Sequence, residues 1–95
     1  MHHHSVYVID VLGGQPNEVY VGQTWHPPEV RRQQHIDAPK RRGRIFKKRG
    51  RSVGPLRDDL LPVLEQPMTR EVAVAAEAYV AAILRARGYV VHGGH

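Results

Sequence analysis

The chain has 95 residues, no cysteine and a formal net charge of +5 at pH 7. That length suits one small domain, and the absence of cysteine excludes a disulfide framework and a thiolate metal site. No apolar run approaches the roughly 20 residues that cross a bilayer, and no secretory signal pattern is visible at the N-terminus. We therefore expect a cytoplasmic protein without membrane association.

The basic side chains are concentrated in one part of the chain. Residues 31–57 hold 11 of the 14 Lys and Arg but only one acid, Asp37, so this segment carries a formal charge of +10. The rest of the chain has three basic and eight acidic side chains. Such segregation is typical of proteins that bind nucleic acid, and a basic surface that only keeps the protein soluble is the alternative.

The N-terminal part predicts an antiparallel β-hairpin. Residues 1–4 (MHHH) are interpreted as a possible tag or disordered leader. Residues 5–11 are rich in β-branched side chains and predict a strand. Residues 13–17 (GGQPN) have turn chemistry, and residues 18–23 predict the returning strand.

A short polar helix is predicted next. Residues 26–29 (HPPE) suit a helix start, because proline is tolerated in the first turn and an early glutamate complements the positive helix end. The helix should end near residues 35–36, before an Asp-Ala-Pro sequence. Its apolar face would be thin, consisting chiefly of Val30 and Ile36.

The middle of the chain is less regular. The basic tract, residues 40–51, contains Ile45 and Phe46 as its only large apolar side chains, and a short helix is predicted over residues 44–49. Gly50 and the Gly-Pro pair at residues 54–55 are expected to end this helix. Residues 60–64 (LLPVL) are compatible with a third strand, confined to a sheet edge by its proline, or with a helical turn.

The clearest predicted helix covers residues 69–87. Thr69 is a fair N-cap, and Gly88 would end the helix. Apolar side chains recur at helical spacing and predict the face toward the core: Val72, Ala76, Tyr79, Val80, Ile83 and Leu84. A short extended segment follows at residues 89–91. The expected fold class is α+β, with a small antiparallel sheet of about three strands packed against helices.

Four sequence features follow one another along the chain, and their order is more specific than any one of them alone. Residues 5–7 (SVY) and 20–22 (YVG) lie in the two hairpin strands, Arg31 and His35 share one helix face, and the late helix contains glutamate. This set resembles the GIY-YIG nuclease family: the first triplet matches loosely, the second matches closely, and 12 residues separate the two tyrosines. Residues 5–95 are therefore interpreted as a single GIY-YIG-like nuclease domain.

The resemblance implies a metal-binding glutamate on the late helix, where Glu71 and Glu77 are the candidates. With about 100° of rotation per residue, Glu77 falls at the edge of the apolar stripe beside Val80 and Leu84. Glu71 falls on the solvent side, in the first turn. An active-site carboxylate belongs at the rim of the core, so we choose Glu77.

The resemblance also implies hydrolysis of DNA phosphodiester bonds with one divalent cation, Mg²⁺ or Mn²⁺. Glu77 would hold the ion, and Arg31 would neutralise charge on the phosphate. Tyr7 would be the general base and Tyr20 would position the attacking water, with His35 completing the catalytic set. The expected DNA-binding positions are Gly22, Gln23, Lys40, Arg41, Arg42, Arg44, Lys47 and Lys48.

Two departures from the family pattern keep an alternative open. Gln23 stands where some relatives carry a lysine, and His92 or His95 lies near the position of a frequent asparagine. The alternative is a catalytically weak or inactive nucleic-acid-binding module with the same fold. No obligate protein partner is evident from the sequence.

Overall fold

The computed structural model describes residues 3–94 and has a mixed four-stranded sheet packed with two α-helices. This is the predicted α+β class, with one strand more than the three expected. No helix in residues 3–94 is long and apolar enough to cross a membrane. In chain order the elements are β1 (Ser5–Leu12), β2 (Glu18–Thr24), α1 (Pro28–Asp37), β3 (Ser52–Leu56), α2 (Arg70–Ala86) and β4 (Val90–Gly93).

The predicted hairpin is confirmed. Strands β1 and β2 pair antiparallel, and Tyr7 lies opposite Gly22 in their register. The turn between them contains left-handed backbone at Gly13 (φ 85°) and Asn17 (φ 62°). Glycine and asparagine adopt this conformation at low cost, which explains why they occur in the turn.

The four strands lie in the order β3-β1-β2-β4. β3 pairs antiparallel with β1, whereas β4 pairs parallel with β2 at the opposite edge. A parallel pair requires a long crossover connection, and the segment that contains α2 provides it. The central hairpin is therefore flanked on both sides, and β4 lies beside the strand that contains Tyr20.

The third strand does not lie where the sequence predicted it. It covers Ser52–Leu56, and a short 3-10 helix covers Asp58–Leu60 instead of a strand over residues 60–64. The Gly-Pro pair at residues 54–55 lies within this strand, and the short helix that this pair and Gly50 were expected to end already stops at Lys47. β3 is an edge strand, and an edge strand tolerates proline because one of its sides needs no ladder hydrogen bonds.

Helix α1 has the predicted bounds but a different inward face. Its fully buried side chain is His35, whereas Val30 and Ile36 are exposed, so the apolar face expected from these two residues was wrong. The Arg32 guanidinium donates to the carbonyl of Gly54 (2.7 Å) and fastens the helix to β3. Polar contacts therefore orient this helix more than apolar periodicity does.

Helix α2 is confirmed, but its buried face is rotated about the helix axis relative to the predicted one. Thr69 caps it by accepting a hydrogen bond from the main chain of Val72 (3.3 Å), and Gly88 follows it with left-handed backbone (φ 92°). Val72 and Tyr79 were expected to face the core but are exposed. The buried residues of the helix are Ala73, Val80, Ala81 and Leu84.

The two faces of the sheet carry different cores. Alternate residues of a strand point to opposite faces. One face, covered by α2, is aliphatic and includes Val6, Val8, Val19 and Val21. The other face, covered by α1 and a short 3-10 helix (Arg44–Lys47), includes Tyr7, Ile9, Val11 and Phe46. That 3-10 helix lies within the predicted helical segment 44–49.

The chain joins the fold one residue earlier than predicted. His4 and Met68 exchange two main-chain hydrogen bonds (2.9 and 2.7 Å), so His4 belongs to the domain and not to a leader. Met1 and His2, the first residues of the predicted tag or leader, lie outside the described residues.

Candidate functional site

Two tyrosine side chains meet on one face of the hairpin. Tyr7 lies opposite Gly22 and Tyr20 lies opposite Ile9, so both phenols project from the same face. Their ring centroids are 6.2 Å apart, and the Tyr7 hydroxyl lies close enough to lower the pKa of Tyr20, against the larger effect of burial. Tyr7 is buried and Tyr20 is half-buried, so one phenol anchors the pair and the other reaches the surface.

Helix α1 places the His35 imidazole against Tyr7. The Nε2 atom lies 2.9 Å from the Tyr7 hydroxyl oxygen, and the main-chain N–H of Gly43 donates to Nδ1 (2.9 Å). Because Nδ1 accepts, the proton of the neutral ring is on Nε2, and His35 donates to the Tyr7 oxygen. Burial, together with the charges of Arg31 and Arg42, lowers the pKa of His35 to about 4, so the ring is neutral at pH 7.

An aromatic cluster, defined as Tyr7, Tyr20, His35 and Phe46, forms the centre of the site. The Tyr20 ring centroid lies 5.1 Å from that of His35 and 5.3 Å from that of Phe46. The centroids of His35 and Phe46 are 5.0 Å apart. Phe46 comes from the 3-10 helix in the basic tract, so the tract contributes to the site as well as to the charged surface.

Glycines allow this close packing around Tyr20. A Cβ atom added at Gly22 would lie 2.6 Å from the Tyr7 hydroxyl and 3.0 Å from the Tyr20 ring. At Gly43 it would lie 2.9 Å from the other edge of that ring, and at Gly93 it would lie 3.2 Å away. Gly22 therefore provides space for the phenols of the protein itself, in addition to any DNA contact.

Arg31 brings positive charge to the cluster. Its positive charge opposes the rise in the pKa of Tyr7, and its guanidinium donates to the side-chain oxygen of Gln34 (3.3 Å). Arg31 lines an open groove of about 330 Å³ that also contains Gln23. Arg31 therefore lies both within electrostatic reach of Tyr7 and at the wall of an open groove.

Glu77 brings negative charge from the opposite helix. It is half-buried, and its charge acts on both Tyr7 and Tyr20. The buried residues of α2 show that Glu77 lies within the inward sector and not only at its edge. Glu71, the other candidate, is exposed in the first turn.

The two phenols are protonated at neutral pH in the protein alone. Burial is the main cause that raises the pKa of Tyr7, and the charges of Tyr20 and Glu77 add to it, whereas Arg31 opposes it. Burial also raises the pKa of Tyr20, with the same opposition between Arg31 and Glu77. Tyr7 can therefore act as a base only with further positive charge near its oxygen.

The described side chains do not form a closed metal cage. Within residues 3–94, no three His, Cys, Asp or Glu side chains gather in a way that could hold a metal ion. Mg²⁺ keeps several waters and is usually held by one or two carboxylates plus substrate phosphates. Glu77 is the single carboxylate that the resemblance assigns to Mg²⁺ or Mn²⁺, and its charge acts on both tyrosines.

The basic tract presents most of its cations to solvent. Five of the six predicted contacts are exposed: Lys40, Arg41, Arg44, Lys47 and Lys48. Arg42 differs, because its guanidinium donates to the carbonyl of Ile36 at the end of α1. Two of the exposed cations, Arg44 and Lys48, also line a pocket of about 540 Å³ next to Tyr20.

The positions that depart from the family pattern have local partners. The Gln23 side-chain oxygen accepts a hydrogen bond from Nδ1 of His4 (2.6 Å). The His92 imidazole lies 2.6 Å from the Glu18 carboxylate on β2, so its hydrogen-bond partner is a different acid from Glu77. His95 lies outside the described residues.

Three residues at the site received no role from the sequence. Gly43 orients His35, Phe46 packs on two rings of the cluster, and Trp25 lines the groove beside Arg31. A phenylalanine and a glycine inside a run of cations were the available signals for the first two. The position of the only tryptophan, directly after the second triplet strand, was the signal for the third.

Comparison with family models, with curated proteins and with solved structures gives no match. The resemblance to GIY-YIG nucleases therefore depends on the residues of this chain and on their arrangement.

Proposed function

We propose that this protein is a metal-dependent endonuclease that hydrolyses DNA phosphodiester bonds through a GIY-YIG-type site. The observation that carries the proposal is that Tyr7 interacts with each of the other four predicted catalytic residues. These residues come from three other elements of the fold and are Tyr20, Arg31, His35 and Glu77.

Tyr7 acts as the general base in this proposal. Its deprotonated oxygen takes a proton from water, the oxygen of that water attacks phosphorus, and the bond from phosphorus to the leaving sugar oxygen breaks. His35 holds its proton on Nε2, so it donates to Tyr7 and stabilises the phenolate without competing for the proton. Tyr20, the more exposed phenol, positions the water.

Positive charge has two tasks at this site. Arg31 lowers the pKa of Tyr7 and offers a fork of donors to the oxygens of the phosphate. When bound at Glu77, Mg²⁺ or Mn²⁺ would polarise the phosphate and add the positive charge that deprotonation of Tyr7 requires.

The exposed cations of the basic tract bind the DNA backbone in this proposal. Contacts to phosphate position a protein on DNA without reading its sequence. Binding should therefore be weakly sequence-specific and should weaken strongly as salt is added. We propose that such an enzyme works in the cytoplasm, as expected from the sequence.

A nucleic-acid-binding module without catalysis is the second candidate. The raised pKa of Tyr7 favours it, because a protonated phenol is not a base. Gln23 favours it as well, because an uncharged amide bonded to His4 stands where some relatives have a cation. Such a module would bind DNA through the basic tract and leave the strands intact.

A nicking assay separates the two candidates. Supercoiled plasmid is incubated with the protein and Mg²⁺ or Mn²⁺, with and without a chelator. We expect nicking that requires the metal and disappears in Glu77→Ala and in Arg31→Ala. Glu71→Ala is the matched control, because it removes an exposed carboxylate from the same helix, and it should nick as the unmodified protein does.

Each other result has a definite meaning. Nicking that survives both Glu77→Ala and Arg31→Ala would indicate a contaminating nuclease and reject the proposal. DNA binding without nicking under any metal would support the binding module instead.

A further inference from the structure

The only tryptophan of the chain is exposed beside the candidate site. Trp25 follows β2 directly and its side chain is 66% exposed. Its indole lies against the His26 imidazole, with ring centroids 4.0 Å apart and planes 31° from parallel. Tryptophan is enriched at binding interfaces, and the side chains around this one indicate which ligand would fit.

The groove next to this ring suits an anion. Trp25 and His26 line it together with Arg31 and Arg41, and none of its lining residues is acidic. Its volume of about 330 Å³ is at the small end for ligand sites. The groove therefore combines a flat aromatic surface with two guanidinium groups, in a space that suits one nucleotide better than a double helix.

We propose that Trp25 and His26 form a stacking platform for one unpaired nucleobase, and that Arg31 and Arg41 bind the adjoining phosphates. This inference deepens the proposed function and rests on it, since Arg31 belongs to both. A base within a duplex has both faces covered by its neighbours, so only an unpaired base can offer a face to the indole. The preferred substrate is then single-stranded DNA, or DNA with an unpaired nucleotide next to the cut.

The fluorescence of Trp25 reports this contact directly, since the chain has no other tryptophan. The full chain is titrated, in chelator and at low salt, with a single-stranded oligonucleotide, with the blunt duplex of the same sequence and with an abasic strand of the same length. We expect saturable quenching by the single strand and little quenching by the duplex or the abasic strand. Equal quenching by all three would overturn the platform.

Variants test whether the ring contributes affinity, with labelled oligonucleotides and anisotropy as the readout. Trp25→Ala should weaken single-strand binding about tenfold and leave duplex binding unchanged. Trp25→Phe should restore most of the loss, because phenylalanine also stacks. Tyr79→Ala is the control, since Tyr79 is an aromatic residue on α2 that is 58% exposed; it should change neither affinity.

The outcomes are distinguishable from those of the nicking assay. Equal losses for single strand and duplex in Trp25→Ala, or no loss for either, would reject the platform even if nicking requires Glu77. Conversely, if Trp25→Ala loses binding to the single strand but not to the duplex, with both measured in chelator, the platform is supported even if no nicking is found.

Discussion

The two faces of the central hairpin use the same strands for different purposes. Side chains that point toward α2, such as Val6 and Val8, are fully buried aliphatic groups. Side chains that point toward α1, such as Tyr7, bring a hydroxyl into a cluster with an imidazole. Neighbouring positions along β1 therefore alternate between a face that serves packing and a face that contains reactive groups.

The polar atoms of the second face carry an energetic cost. A buried hydroxyl or imidazole loses its water, and this costs stability unless a hydrogen bond replaces the water. Here the bond between Tyr7 and His35, and that from Gly43 to His35, offset the cost. An apolar filling would stabilise the fold without these polar constraints, and the proposed catalytic role would account for their presence.

Removal of one hydroxyl should give the largest contrast between the faces. Tyr7→Phe deletes the proposed base, and general-base catalysis contributes about 10²- to 10⁴-fold to a rate. We expect the nicking rate to fall by at least about 100-fold, whereas the stability should change by only about 1 kcal/mol. Plasmid nicking and thermal unfolding measure the two effects. A nicking rate close to that of the unmodified protein would remove Tyr7 from the mechanism.

Acid should destabilise the aromatic face through His35. Its pKa is about 4 in the folded protein, below the ordinary value of 6.5. Below pH 6.5 the unfolded chain binds a proton there that the folded chain does not, so the free energy of unfolding falls as the pH drops toward 4. The expected loss is about 3 kcal/mol.

Urea unfolding between pH 7 and pH 4 measures this loss, and His35→Gln is the control because it has no proton to bind. The variant should be less stable at pH 7 and should show a flatter dependence on pH between 6.5 and 4.5. The clustered side chains of the aliphatic face, such as Val6 and Val8, do not titrate, so they should contribute nothing in that range. An unchanged slope in the variant would contradict the low pKa of His35.

A cavity on the aliphatic face should give the reverse pattern and a smaller effect. Val8→Ala removes two buried methyl groups next to Tyr7 in sequence but on the other face, and it should cost roughly 2 kcal/mol. Below its melting temperature the variant should nick DNA at nearly the normal rate. Thermal unfolding and nicking of the same sample measure both. A rate loss as large as that of Tyr7→Phe would show that the two faces are not independent.

The local parts of the fold were predictable from the sequence. The hairpin and α2 follow from strand propensity, turn residues, an N-cap and a terminal glycine, all of which act within a few residues. The third strand was missed because proline is tolerated at a sheet edge, and the sequence around Pro55 does not reveal that it lies at one. The position of that strand is determined by its pairing with β1, which is distant in the sequence.

The candidate site was also predictable only in part, because some of its contacts join residues far apart in the sequence. The resemblance selected Tyr7, Tyr20 and His35, which the structure brings into one cluster, and their catalytic roles stay predictions. The orientation of α1 could not be read from periodicity, because its inward residue is a histidine bonded to partners far away in the chain. Gly43 was missed for a similar reason, since its task depends on a ring from α1 and a ring from β2.

The pairing of β4 with β2 has a consequence for biosynthesis. Gly93 packs against the ring of Tyr20, so the cluster is enclosed only after residues 90–93 have joined the sheet. A ribosome adds about 5–20 residues per second, and the hairpin leaves it well before this last strand does. Until residues 90–93 have been synthesised, the chain therefore lacks the backbone that lies against one edge of the Tyr20 ring.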